Sequence, residues 1–124
     1  NLKIDEEKSF RDLAIALEAS KENVRQKLGA KFRSGIAGYG ASTATVAMMY
    51  QYEIATDLDF LVDDNEEKIG LYSPNVNLRV ENVDKIYTEN IDVLVILASR
   101  FVDRIKNKHS KFGGELIVPS LDRD

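Results

Sequence analysis

The residues with the clearest chemical meaning lie together at Gly38-Tyr39-Gly40-Ala41-Ser42-Thr43, between an apolar run and a helix-like run. An anion binds well where a strand stops, the chain turns tightly, and the free amides of a helix start point outward with the positive end of the helix dipole. Gly38 and Gly40 permit a turn and a close approach that a Cβ would block, and Ser42 and Thr43 can cap the helix or donate to an anion. The full dinucleotide fingerprint asks for a third glycine where this chain has Thr43, so the match is partial. Two readings stay open: a nucleotide or phosphate site, or glycines that only shape a tight turn.

A second group of candidates follows. Asp63 and Asp64 close the next apolar run, near the spacing of about 20 residues at which a carboxylate accepts from ribose hydroxyls. A cap or turn role for the pair is the alternative. If the strand Ile91 to Ala98 lies beside the first one, the sheet order reverses between them, which puts Ser99 and Arg100 at the crevice beside the glycine turn. Arg100 could hold a phosphate in its planar fork or stand solvated on the surface. The single histidine, His109, falls at a helix end, where the dipole favours it. No Ser, His and Asp set with a glycine-flanked nucleophile can be assembled around it. Tyr50 and Tyr52 read as packing or rim residues.

These candidates need a scaffold, and the apolar pattern supplies one. Phe10, Leu13, Ala14, Leu17, Val24 and Leu28 make one helical face, with Asp5 or Ser9 as cap and Gly29 as terminator. A strand over residues 34–38, the glycine turn and a helix over 42–52 come next, then a strand over 59–63 and turn formers Gly70, Ser73, Pro74 and Asn75. Residues 82–87 suit a short helix. The unbroken run Val93-Leu94-Val95-Ile96-Leu97 suits a parallel strand buried on both faces and is expected at the centre of the sheet. Phe101, Val102, Ile105 and His109 form a last helical stripe, Gly113-Gly114 breaks it, residues 116–118 form a strand closed by Pro119, and residues 120–124 read as a polar tail. Strands alternating with helices predict an α/β, Rossmann-like three-layer domain with a mostly parallel four- to five-stranded sheet, right-handed crossovers and a leading amphipathic helix.

Composition narrows the function classes. The 124 residues suit one domain, 1–124, and the 44% apolar and 31% charged fractions suit a water-soluble one. The longest apolar run is far shorter than a membrane helix needs, so no membrane partner is expected. Seventeen basic against 21 acidic residues, with no basic block, argue against nucleic acid. The lack of cysteine excludes thiolate zinc sites and suits a cytoplasmic setting, and with one histidine no metal site is expected. The chain starts at Asn1 without a targeting segment, which reads as a piece of a longer protein.

Taken in order, the runs Ile36 to Ser42, Asp59 to Gly70 with Asp63-Asp64-Asn65 and Lys68, Tyr72-Ser73-Pro74, Val95 to Ala98 and Gly113 to Pro119 resemble the C-terminal domain of S-adenosylmethionine-dependent C-methyltransferases that act on nucleotide-linked deoxysugars. The resemblance spans nearly the whole chain. It departs at Ala44 and Val46, where relatives tend to carry Lys and Asn, and at Asn75, where Gly is usual. It implies a substrate-side domain that helps to bind a nucleotide sugar, with an upstream zinc-binding segment and methyltransferase domain in the same chain. It also implies that S-adenosylmethionine and the catalytic residues belong to that upstream part, leaving no cofactor here and a domain without turnover alone. The alternatives are a stand-alone module for a dinucleotide or coenzyme A, and a packing domain that has lost its ligand.

Overall fold

The computed structural model describes residues 2–29, 35–73 and 77–119. The order of elements is α1 (Leu2–Gly29), β1 (Gly35–Tyr39), α2 (Thr43–Tyr52), β2 (Phe60–Val62), β3 (Val80–Glu81), α3 (Lys85–Thr88), β4 (Ile91–Ile96), α4 (Val102–Lys108) and β5 (Glu115–Ile117), with short 3₁₀ turns before β2, after β2 and before α4. The five strands form one parallel sheet in the order β3-β2-β1-β4-β5. It is the α/β, Rossmann-like arrangement expected from the sequence.

Alternation along the strands divides the core in two. Ile36, Leu61, Val93, Val95 and Ile117 face α1 and α2, meeting Val24, Leu28, Met49 and Tyr52. Ala37, Tyr39, Phe60, Val62, Leu94 and Ile96 face the other way, toward Ile86 and Ile105 on α3 and α4. Each fully buried aliphatic side chain contributes about 1.5–3 kcal/mol. A run such as Val93 to Ile96 can be apolar throughout because both faces of a parallel sheet are covered.

Several expectations are corrected. The middle place belongs to β1 rather than to the more apolar β4, because two strands, β2 and β3, lie on one side of β1 and two, β4 and β5, on the other. The leading helix already runs at Leu2, so Asp5 and Ser9 lie inside it and do not cap it. Among its described side chains, those that pack lie in its second half. Val24 and Leu28 are buried, whereas Phe10 is 74% exposed and Leu13 51%. The second half is held to α2 by Ser20 Oγ and the Tyr52 hydroxyl, 2.8 Å apart, and by Lys21 and Arg25 against Glu53. The strand β3 was not legible, since two residues carry no periodicity; an antiparallel ribbon over residues 70–73 and 78–80 covers its outer edge. Its Glu81 is buried and paired with Arg79 and Lys85. The short helix begins later than expected, at Lys85, after Asn82 Oδ1 has accepted from the Asp84 N–H. The last strand starts one residue early. Ser34, Pro74, Asn75 and the tail lie outside the described residues.

Gly38 sits within β1 on the α2 face. A Cβ there would lie 2.8 Å from Leu61 Cδ2, 2.9 Å from Leu97 Cδ1 and 3.1 Å from Leu58 Cδ1, so its hydrogen is what lets three leucines meet over the strand. Gly38→Ala is expected to lower stability by about 1–3 kcal/mol through overpacking. Denaturant midpoints for the two proteins check this; an unchanged midpoint contradicts it.

Candidate functional site

The sheet order reverses between β1 and β4, and a crevice opens beyond the carboxyl ends of those strands, where open α/β sheets bind ligands. It holds a cavity of about 340 Å³. The glycine turn forms one wall, through Tyr39, Gly40, Ala41 and Ser42. Asp63, Asp64 and Asn65 form the second, and Ala98, Phe101, Arg104 and Ile105 the third.

The turn is built by local rules. Gly40 takes φ 123°, which side-chain-bearing residues avoid, and a Cβ there would meet Thr45 Cγ2 at 2.7 Å. Its N–H donates to the Val62 carbonyl at 2.8 Å, tying the turn to the end of β2. Ser42 caps α2: its Oγ accepts from the Thr45 N–H at 3.3 Å, and its carbonyl from the Thr45 hydroxyl at 2.7 Å.

The carboxylate of Asp63 changes what this corner can bind. Its Oδ2 accepts from the Ala41 N–H at 2.9 Å and its Oδ1 from the Asn65 N–H at 2.8 Å. A protein carboxylate therefore occupies the amide at the tip of the turn, and it staples that turn to the loop after β2. Among the described residues, free N–H groups remain only further along, at Ser42, Thr43 and Ala44. Lys68 donates to the Ala41 carbonyl at 3.3 Å, which brings a cation to the same corner.

Behind the cavity runs a chain of polar groups that the sequence did not announce. The Tyr39 hydroxyl donates to Asp64 Oδ2 at 2.8 Å, and Lys108 Nζ donates to Oδ1 at 2.7 Å. The same hydroxyl lies 3.2 Å from His109 Nε2, and the Tyr87 hydroxyl lies 2.6 Å from Nδ1. His109 is only 6% exposed. Burial, and then the charge of Lys108, hold its pKa below the ordinary histidine value against the opposing pull of Asp64 and Asp84. Burial, followed by the hydrogen bond to Asp64, raises the pKa of Tyr39. For Asp64, partial burial pulls upward, but the bonds from Lys108 and Tyr39 outweigh it and hold the carboxyl below its ordinary value.

Of the residues singled out in the sequence, Tyr39, Gly40, Ala41, Ser42, Asp63 and Asp64 line the cavity together. Gly38 lies one step back in the core, and Thr43 opens α2 on the outside. Ser99 and Arg100 form an exposed 3₁₀ turn beside the crevice and do not line it. The guanidinium on the wall is that of Arg104, which makes no ion pair or hydrogen bond with the described residues. Phe101, read as a packing residue, is 52% exposed there. The signal that could have found both is positional: the first turn after the strand beside β1 must border the crevice.

Among the described residues, no group of three or more His, Cys, Asp or Glu is placed to hold a metal, and no helix is long and apolar enough to cross a membrane. The family model described as the C-methyltransferase C-terminal domain matches residues 1–120. No curated protein matches the chain.

The two shifted groups act in separate pH windows. His109 binds its proton less readily folded than unfolded, so its contribution to stability is complete above pH about 6.5 and is lost as pH falls below that value toward its folded pKa. Asp64 follows the same sense in a lower window: its contribution is complete above pH about 3.8 and is lost as pH falls through its lowered folded pKa. Denaturation between pH 8 and pH 5 is expected to show a declining stability that His109→Gln flattens. An equal slope in both proteins contradicts the assignment.

Proposed function

The chain belongs to the C-methyltransferase C-terminal domain family, and from that premise we propose that it is the substrate-side domain of an S-adenosylmethionine-dependent enzyme that methylates carbon on a nucleotide-linked sugar. The observation that carries this reading is the cavity at the reversal of strand order, with one unpaired guanidinium and one exposed aromatic ring on its wall. Arg104 offers a planar fork to a phosphate. The ring of Phe101 offers an apolar face to a base or a sugar. The amides of Ser42 to Ala44 add dipolar attraction for a negative group. At about 340 Å³ the space is near the lower end of the range for small-molecule sites, which suits one portion of a nucleotide sugar with the remainder lying over the rim toward the upstream domain.

The same residues do not fit the methyl donor. Asp63 stands where a ribose-binding carboxylate would, and both of its oxygens accept from backbone amides. We therefore place S-adenosylmethionine and the methyl-transfer chemistry in the upstream domain, and assign this domain to holding the acceptor.

Uridine and thymidine diphosphoglucose are expected to shift amide resonances of residues 42–45, 63–65 and 101–104, and dinucleotides to leave them unmoved. Arg104→Ala should raise Kd about fivefold to tenfold, the worth of a charge-assisted contact discounted for exposure, while Arg100→Ala leaves it within about twofold. Shifts scattered elsewhere, or none, would overturn the reading.

A further inference from the structure

The polar chain behind the cavity has a defined direction. The Tyr39 hydroxyl gives its proton to Asp64, so its oxygen can only accept from His109, which fixes the neutral imidazole as the Nε2–H form. Nδ1 is then an acceptor, and the Tyr87 hydroxyl donates to it. The result is a directed run of hydrogen bonds, Tyr87 to His109 to Tyr39 to Asp64, joining α3, α4, β1 and the loop after β2. Tyr39 and Asp64 are its two members on the cavity wall.

We propose that this chain is a proton-sensitive support of the binding site: when His109 takes up a proton, the wall gains a positive charge directly behind Tyr39, and affinity for a phosphate-bearing ligand rises. The proposal rests on the ligand class given above and adds its regulation.

Both protonation states can be satisfied, which a switch requires. A proton on Nδ1 reverses one hydrogen bond, so that the Tyr87 hydroxyl accepts instead of donating. Tyr87 is 46% exposed, and its own proton can turn to water. At the other end, the imidazolium Nε2–H strengthens its bond to Tyr39, which polarises Tyr39 toward Asp64. The groups that face His109 are Tyr39 from β1, Asp64 from the loop after β2, Tyr87 on α3 with Asp84 at its start, and Lys108 on its own helix. Asp64 and Asp84 favour the added charge, whereas Lys108 and burial oppose it. The balance favours the neutral imidazole and moves its protonation below the ordinary histidine value. Tyr39 and His109 are thus positioning residues, acting on a ligand through Asp64 and the field of the wall.

The test uses the only histidine in the chain, whose ring resonances report its titration without assignment ambiguity. In the free protein, the amide resonances of Tyr39, Asp64 and Ala41 should titrate with the midpoint of His109. If the imidazole titrates and they do not, the relay is overturned, whatever the ligand. Uridine diphosphoglucose, whose diesterified phosphates keep their charge throughout this range, should bind roughly threefold to tenfold tighter below the measured His109 midpoint than at pH 8, the scale of one charge acting across a partly solvated wall. His109→Gln should abolish that difference. Tyr87→Phe, which removes the partner of Nδ1 in both states and so penalises the charged N–H more than the neutral nitrogen, should move both the His109 midpoint and the affinity profile to lower pH, which a purely structural role would not do. Binding with the same Kd at both pH values overturns the switch and spares the nucleotide-sugar reading. No binding at either pH overturns that reading and the ligand half of this proposal, with the relay still judged by the free-protein titration.

Discussion

Two adjacent strands of a parallel sheet end side by side, and what happens to the polar groups at those ends decides what the crevice can hold. Here the carboxylate of Asp63, just past β2, accepts from the backbone N–H of Ala41, just past β1. The Gly40 N–H donates to the last carbonyl of β2 as well, so the two strand ends are laced together twice. A buried or half-buried backbone donor must find a partner. In a phosphate loop that partner is the ligand. In this chain it is a residue of the protein, and the corner is complete without anything bound.

The consequence runs through the electrostatics of the site. A negative charge fixed at the tip of the turn opposes a second one in the same place, so an anion is better received along the rim, where Arg104 and the first amides of α2 lie. Asp64, next in sequence, faces different partners: Lys108 and Tyr39 satisfy it from α4 and β1. Two neighbouring carboxylates thus take separate tasks, one closing the backbone and the other joining the side-chain chain that reaches His109.

Among its described side chains, the leading helix packs on the sheet and α2 through those of its second half. Val24 and Leu28 pack under the sheet, Ser20 meets Tyr52, and Glu53, in the left-handed region at φ 56°, ends α2 where Lys21 and Arg25 can reach it. The apolar stripe carries no sign of this division, because periodicity reports a face and not how far a neighbour extends along it.

Much of the fold was written in local pattern. The unbroken apolar run from Val93, the shorter run before Asp63 and the glycine turn between a strand and a helix each satisfy a rule that acts over a few residues, and all three appear as read. The series of motifs also sufficed to identify the family. What the sequence could not decide was pairing across distance. Which strand stands in the middle depends on how many strands pair on beyond it, and β4, although more apolar than β1, has only the edge strand β5 on its far side, whereas β1 has β2 and β3. That Asp63 would spend itself on Ala41, that Arg104 and not Arg100 would line the cavity, and that Tyr39, Asp64, Tyr87 and His109 would join hands are facts of four elements meeting at one point. Local residue types set which groups need partners; only the packed chain determines which partners come within 3 Å or so of one another.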